Sequence, residues 1–242
     1  MRLVALFAFL QCFPLLSNCQ SHDIATEIIS LIDSVKNIYG SSDLLVNGPV
    51  YYQPNRLANG NPYLYSSEFI RSTVFTGGQT LQGINLNYDI ASQQLILITS
   101  MASGARLSIS LSNVLIDSFL INEYMFINPE KINLSTNYSY LQKLNSGIYN
   151  MYIGYNKEFI NRYNQKNPNG KYSVTQRSLF LQTDSTLINI NSKRSLVNIF
   201  PSIKKDVIAY LRRNKVNLKK ATPEQLKQLV EFYNQQLNYT NE

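Results

Sequence analysis

The chain of 242 residues has no tryptophan, one histidine, two cysteines and only 15% charged residues, and each shortage removes a class of chemistry. Cys12 and Cys19 lie at the extreme N-terminus and the histidine is His22. Everything beyond them lacks the thiols and imidazoles that build Ser-His-Asp and Cys-His nucleophiles, Cys/His zinc sites and histidine proton relays. No GxxxxGK[ST] or GxGxxG segment offers a phosphate cradle. No cofactor and no metal are therefore expected. Beyond the N-terminus no apolar run reaches the roughly 18 residues of a membrane-spanning helix, so no transmembrane helix is expected either.

What is present begins with an address. Arg2 precedes an apolar stretch from Leu3 to Leu16, followed by small and polar residues, the layout of a secretory signal peptide. Ser17 and Cys19 are the small residues of the cleavage site, which makes 1–19 the signal and Gln20 the mature terminus. Leu16-Ser17-Asn18-Cys19 also resembles a lipobox, with Asn18 where such a motif carries Gly, Ala or Ser; lipidation of Cys19 is the alternative. On the first reading both cysteines leave with the signal, and the exported domain folds without a disulfide. Its localisation is then periplasmic, outer-membrane associated or extracellular.

The net charge of +7 is unevenly placed. From Gln20 to Asn191 eleven Lys or Arg balance eleven Asp or Glu. From Lys193 to Lys220 nine basic residues stand against one acid, Asp206, and nine less one gives +8. The body is neutral and the basicity belongs to one segment.

Hydrophobic periodicity divides the mature chain in the same place. Ile24, Ile28, Leu31, Val35 and Ile38 recur at helical spacing between Asp23 and Gly40, which predicts an N-terminal amphipathic helix. From Pro49 to Ile190 the period becomes two. Ile84, Leu86, Tyr88 and Ile90 alternate with Asn85, Asn87 and Asp89, and Leu107, Ile109 and Leu111 alternate with serines. The strands SEFIRSTVF, GINLNYDI, QQLILITS, ARLSISL, DSFLI, YMFI, GIYNMYIGY, KYSVTQRSLFLQ and TLINI follow, in a meander of roughly nine to eleven strands. Gly77-Gly78, Asn122-Glu123 and Thr183-Asp184-Ser185 are connections that suit only antiparallel neighbours. Leu95 to Ile98 is apolar on both sides and reads as a central strand packed on each face. The polar row Asn85, Asn87 and Asp89 reads as a wet surface, and NGPVYYQPNRLANGN, from Asn47 to Asn61, as an irregular surface excursion.

After Ser192 the helical period returns. SLVNIF is a short turn or helix stopped by Pro201, and Ile203, Val207, Ile208 and Leu211 mark one face of the next helix. Thr222-Pro223-Glu224-Gln225 is a capping box ahead of the stripe Leu226, Leu229, Val230, Tyr233 and Leu237. The predicted fold is mainly β (α+β): a single β-rich domain over 20–192, an antiparallel β-meander forming a barrel-like or sandwich sheet, flanked by one N-terminal helix and two C-terminal helices, with 193–242 a helical appendage docked on it. An outer-membrane barrel is disfavoured because such barrels close on a C-terminal strand.

The signal peptide, the Gly83-Ile84-Asn85-Leu86-Asn87-Tyr88-Asp89 hairpin, the Gly147-Ile148-Tyr149 strand and the tail SLVNIFPSIKKDVIAYLRRNKVN…LVEFYNQ together resemble a group of uncharacterised exported β-rich proteins common in Bacteroidota. The resemblance covers nearly all of the mature chain and rests on structural motifs. It implies export and carries no established activity.

Two function classes remain open. Glu68, Asp89, Asp117 and Glu123 lie in or beside strands, and a glycosidase needs only two carboxylates about 5 to 10 Å apart. Lys204, Lys205, Arg212, Arg213 and Lys215, with Lys219, Lys220 and Tyr210, form the basic cluster. Its bland reading is a solvated helix face. Its functional reading is an electrostatic patch for an envelope protein or an anionic surface through peripheral membrane contact, with no nucleic acid as partner for an exported chain. A non-enzymatic binding or structural module leads, and a carboxylate-dependent glycan hydrolase is the alternative.

The address is tested by mass spectrometry of the exported protein. A mature chain beginning at Gln20 without lipid is expected; a diacylglyceryl mass on Cys19 overturns it.

Overall fold

The computed structural model describes residues 45, 47–100, 105–183, 186–199 and 201–240, within the unit Tyr39–Glu242. The signal peptide, the Gln20 terminus and the N-terminal helix expected between Asp23 and Gly40 lie outside the described residues. Ten strands make one antiparallel sheet: β1 (Ile70–Thr76), β2 (Gln79–Asp89), β3 (Gln94–Ser100), β4 (Arg106–Ser110), β5 (Ser118–Ile121), β6 (Tyr124–Ile127), β7 (Leu141–Lys143), β8 (Asn150–Asn156), β11 (Gln176–Thr183) and β12 (Thr186–Ile190). A separate pair is formed by β9 (Phe159–Ile160) and β10 (Lys171–Tyr172). The sheet order is β12-β11-β8-β7-β6-β5-β1-β2-β3-β4.

The chain is mainly β, as its period-two alternation predicts, but the meander breaks once. After β4 the chain returns to pair β5 with β1, on the side of β1 away from β2. This is the return of a Greek key with one strand more. Side chains hold the return segment: Asn128 Nδ2 donates to the carbonyls of Asn113 (2.8 Å) and Ile116 (3.0 Å), and Tyr140 Oη donates to Asn113 Oδ1 at 3.1 Å. Gly77 and Gly78 both take positive φ, which suits the twist of the two-residue β1–β2 turn. The run KYSVTQRSLFLQ divides into β10 and β11, and the three-residue β7 carries too little pattern to be read from sequence.

One face of the sheet holds the main core. Val74, Leu86, Tyr88, Leu95, Leu97, Phe119, Phe126, Met151, Ile153 and Leu181 are fully buried there. Tyr88 on β2 meets Phe126 on β6 with ring centroids 6.0 Å apart, and Phe119 stacks on Phe126 at 5.0 Å. Three strand spacings of about 4.8 Å separate β2 from β6 in the sheet, so rings this close require strong curvature. The concave side receives three helices, α1 (Lys193–Ile199), α2 (Lys204–Arg213) and α3 (Pro223–Thr240). Thr222 and Gln225 form the capping box reciprocally, Gln225 N donating to Thr222 Oγ1 and Thr222 N to Gln225 Oε1. Leu226, Leu229, Val230 and Tyr233 are completely buried; the side chain of Leu237 lies outside the described residues. Burying four such side chains contributes roughly 6 to 12 kcal/mol gross. Asn234 adds registration by donating to the Tyr149 carbonyl (3.0 Å) and accepting from its N–H (2.9 Å).

The barrel expectation is corrected: among the described strands β4 and β12 do not pair, and the sheet is open. The reason lies at the β4 edge, where Tyr51 N–H donates to the Ser108 carbonyl and Ser110 N–H to the Pro49 carbonyl. That short segment occupies the edge on which a closing strand would sit and shields it from edge-to-edge pairing.

The polar row of β2 is corrected in part. Asn85 is exposed as expected, but Asn87 and Asp89 are buried rather than wet, because the excursion from Asn47 continues across the outer face as a lid. Asn87 Nδ2 donates to the carbonyls of Ser66 (2.9 Å) and Glu68 (3.1 Å), and Ile96, one strand from the edge, is covered completely on that side while Leu95 and Leu97 face the core. A second, smaller cover lies over β7, β8 and β11, where Leu134, Leu141, Tyr152 and Phe180 pack with Tyr138.

Burial holds Tyr152 and Tyr155 at values pushed up to about 12, and raises Tyr88, Tyr140 and Tyr233 for the same reason. The folded values lie above the unfolded phenol near 10, so this contribution to stability is fully present below about pH 10 and is lost as pH rises through about 12. Each such tyrosine removes about 1.4 kcal/mol per pH unit in that window. Phenolate absorbance and circular dichroism, followed together, should therefore show these tyrosines ionising as the fold is lost. Ionisation of all 17 tyrosines near pH 10 with the fold intact would contradict this core.

Candidate functional site

Beside the second cover, against which Leu187 of β12 also packs, the outer face carries a trough. Its main cavity, about 550 Å³, is lined by Gln93, Ser135, Thr136, Asn137, Tyr138, Asn156, Ser178, Phe180 and Asn189. A cavity of about 520 Å³ shares Ser178 and Asn189 and continues to Arg177, Leu218 and Lys219. A third, about 120 Å³, shares Thr136, Asn137 and Tyr138 and continues to Asn113, Asn128 and Glu130. Not one residue lining the main cavity is charged, and Glu130 is the one carboxylate among the described residues lining the three.

Regular structure positions these groups. Asn156 ends β8, Ser178 and Phe180 stand on β11 and Asn189 on β12, three adjacent strands. Register pairs Ser178 with Gly154 and Phe180 with Asn189. Tyr138 lies over Gly154, where even a Cβ would come within 2.8 Å of its ring carbons, so glycine is required at that position for the ring to settle. Its hydroxyl donates to Ser178 Oγ at 2.7 Å, and its ring meets Phe180 edge-on at 5.8 Å.

Gln93 fastens the trough to the rest of the fold. With a positive φ of 56° it turns β2 into β3. Its Nε2 donates to the carbonyls of Ile90 and Tyr155, both at 2.8 Å, while its Oε1 accepts from Tyr88 Oη at 2.8 Å and Ser139 N at 3.2 Å. By contrast, the side chains of Asn137, Asn156 and Asn189 make no hydrogen bond within the described residues and are open to a ligand.

The carboxylates singled out from sequence do not assemble there. Asp89 is fully buried and spent on structure: Oδ2 accepts from Tyr51 Oη at 2.8 Å, and Oδ1 from Ala91 N and Ser92 N at 2.9 Å each. Burial, reinforced by the Asp89 charge, raises Tyr51 strongly. Lys157, whose value burial lowers against the pull of Asp89, donates to the carbonyls of Asn61 and Tyr63 and ties the lid down. Asp117 accepts from Gly77 N at 2.8 Å and pairs with Lys131 at 3.4 Å. Glu68 and Glu123 are exposed. Among the described residues no group of three or more His, Cys, Asp or Glu gathers as a metal site, and no helix is long and apolar enough to cross a membrane.

Lys204, Lys205, Arg212, Arg213 and Lys215 are all exposed, on the helical layer and away from the main cavity. Lys204 and Lys205 open α2, Arg212 and Arg213 close it, and Lys215 follows in a left-handed conformation. Helical rotation of 100° per residue sets Lys205 and Arg212 on one line, with a separation of about 10 Å. Asp206 lies between the two ends of the helix and Arg213 borders a small cleft with Tyr210 and Phe232, whose rings stack at 4.5 Å.

The trough residues were not legible as a site. Ser135 to Tyr140 reads as turn-forming sequence, and only the fold sets it beside β11 and β12.

Comparison with known proteins returns no counterpart: no protein-family model, no curated protein and no solved structure matches the chain, so the reading of the trough rests on its own residues.

Proposed function

We propose that the chain is an exported, non-catalytic binding module of the Bacteroidota type it resembles, with its curved sheet folded over the core in the manner of a sandwich and its ligand seat in the outer trough. One observation carries this reading: asparagine side chains with no internal partner, on adjacent rigid strands and a pinned loop, border an uncharged cavity of about 550 Å³. Binding sites of this kind combine concavity with a few convergent polar groups. The rival hydrolase needs two carboxylates, and Glu130 is the one that the trough supplies among its described lining residues.

A library of chemically mixed fragments, followed by protein-observed NMR, tests the seat without assuming a ligand. Hits should gather at Asn137, Asn156, Ser178 and Asn189. Hits that gather on another surface, or none, would reject the trough as the binding site.

The exposed cations of the helical layer favour a second reading, peripheral contact with an anionic surface. Exchange of Lys204, Lys205, Arg212 and Arg213 for Glu tests it. Glutamates at the start of α2 gain from the helix dipole and those at its end lose, by about 0.3 to 1 kcal/mol each, so the four changes nearly cancel in stability. Salt-sensitive binding to anionic vesicles should vanish while Tm stays nearly constant. Vesicle binding that survives the exchange removes the patch from consideration.

A further inference from the structure

The chemistry of the trough narrows its ligand, on the proposal that the trough is the binding seat. We infer that it binds a neutral oligosaccharide, with Tyr138 as the stacking platform and Asn137, Asn156 and Asn189 reading the hydroxyl groups.

Charge argues first. An anionic ligand, phosphate or uronate, leaves water only where cations or oriented N–H groups replace its hydration. The main cavity has no cation among its lining residues; the two cations of the trough, Arg177 and Lys219, line the neighbouring cavity, where the Arg177 guanidinium donates to the carbonyls of Ala221 (2.8 Å) and Lys219 (2.9 Å). A cationic ligand meets Glu130 alone, in the smallest cavity.

The donor and acceptor balance argues next. A sugar hydroxyl both donates and accepts, so burying it requires partners that do both. Each asparagine amide presents an acceptor oxygen and a two-proton donor side by side, and Ser135, Thr136 and Ser178 add hydroxyls that can rotate to either role. Ser178 accepts from Tyr138 and so has its own proton to give. An apolar ligand would leave these amides unpaired, and a peptide strand would pair its main chain along a sheet edge, whereas these groups stand on the face of β8, β11 and β12.

Shape completes the case. Tyr138 is half-buried, seated over Gly154 and held by Ser178 and Phe180, so its ring is fixed before any ligand arrives. Apolar C–H faces of a pyranose pack on such an amphipathic ring while the hydroxyls at the rim meet amides. From β8 to β12 the trough crosses two strand spacings, about 10 Å, and neighbouring cavities extend it at both ends, which suits a chain of sugars rather than one ring.

The test uses the full mature chain and a panel of cellohexaose, laminarihexaose, mannohexaose, maltohexaose and chitohexaose, with hexagalacturonate as the acidic control, read by calorimetry and NMR. At least one neutral hexasaccharide should bind and shift the amide resonances of Asn137, Ser178 and Asn189, and hexagalacturonate should not. The double exchange Asn137→Ala with Asn189→Ala, at two exposed side chains without internal bonds, should weaken binding about tenfold or more with Tm unchanged. Tyr138→Phe should retain binding, since the ring remains, whereas Tyr138→Ala should lose it. Failure of every neutral hexasaccharide to bind, equal binding of hexagalacturonate, or binding untouched by the double exchange would overturn the inference. Fragment hits in the trough without any sugar binding would reject the ligand class alone; absence of both would reject the seat as well.

Discussion

A sheet of ten strands that does not close on itself must keep its curvature by some means other than a ladder of hydrogen bonds, and the Gln93 amide supplies it. Four hydrogen bonds converge on that side chain, from the β2–β3 turn, from Tyr88 in the aromatic core, from the end of β8 and from the loop before β7. In sheet order β3 and β8 are six steps apart, so the amide spans the opening of the curve. Buried amides of this kind are costly when half satisfied and rigidifying when fully satisfied, and this one uses both donors and accepts twice. The ring cluster of Tyr88, Phe119, Phe126 and Tyr140 fills the space that the curvature encloses, and the three helices cover the remaining concave side.

The outer face follows from the same geometry. Curvature leaves β2 to β4 and β7 to β11 as separate convex shoulders, each with its own cover: the segment beginning at Asn47 on one, the Leu134–Tyr138 loop on the other. The second cluster reaches β12 through Leu187, and the trough lies beside it, between the Ser135–Tyr138 loop and Asn189 of the edge strand. Gln93 contributes to its wall, which couples the rigidity of the core to the position of Tyr138 through Ser139.

Period-two alternation made the strands and their antiparallel pairing legible, and the capping box at Thr222 marked the start of α3 correctly. What it could not carry is what covers a strand. Asp89 sits in the polar half of a clean alternation, which reads as wet; its burial comes from Tyr51, far away in a segment with no period at all. Position 93 fails for a similar reason. A glutamine in a turn has no pattern to announce that its amide will meet residues 46 and 62 positions away, nor does an isolated Asn189 reveal that the β11–β12 pairing sets it beside Phe180. Alternation left barrel and sandwich both open because it is the same in an open and a closed sheet; the β4 edge was decided by two backbone hydrogen bonds with a proline-containing loop.

Charge is segregated in a way that lets two surfaces act independently. Exposed charges on α2 are screened over about 8 Å at physiological ionic strength, while the main cavity lies on the opposite side of the sheet from the helical layer. Where the two regions approach one another, at Arg177 and Lys219, the guanidinium is bound to main-chain carbonyls of the α2–α3 connection and so serves to fasten that connection to β11. Two of its five N–H donors are used in this way, and with the exposed Lys219 it borders the neighbouring cavity and not the main one. The cations of α2 are thus separated by the sheet from a main cavity whose described lining carries no charge, and the two surfaces can be altered one at a time.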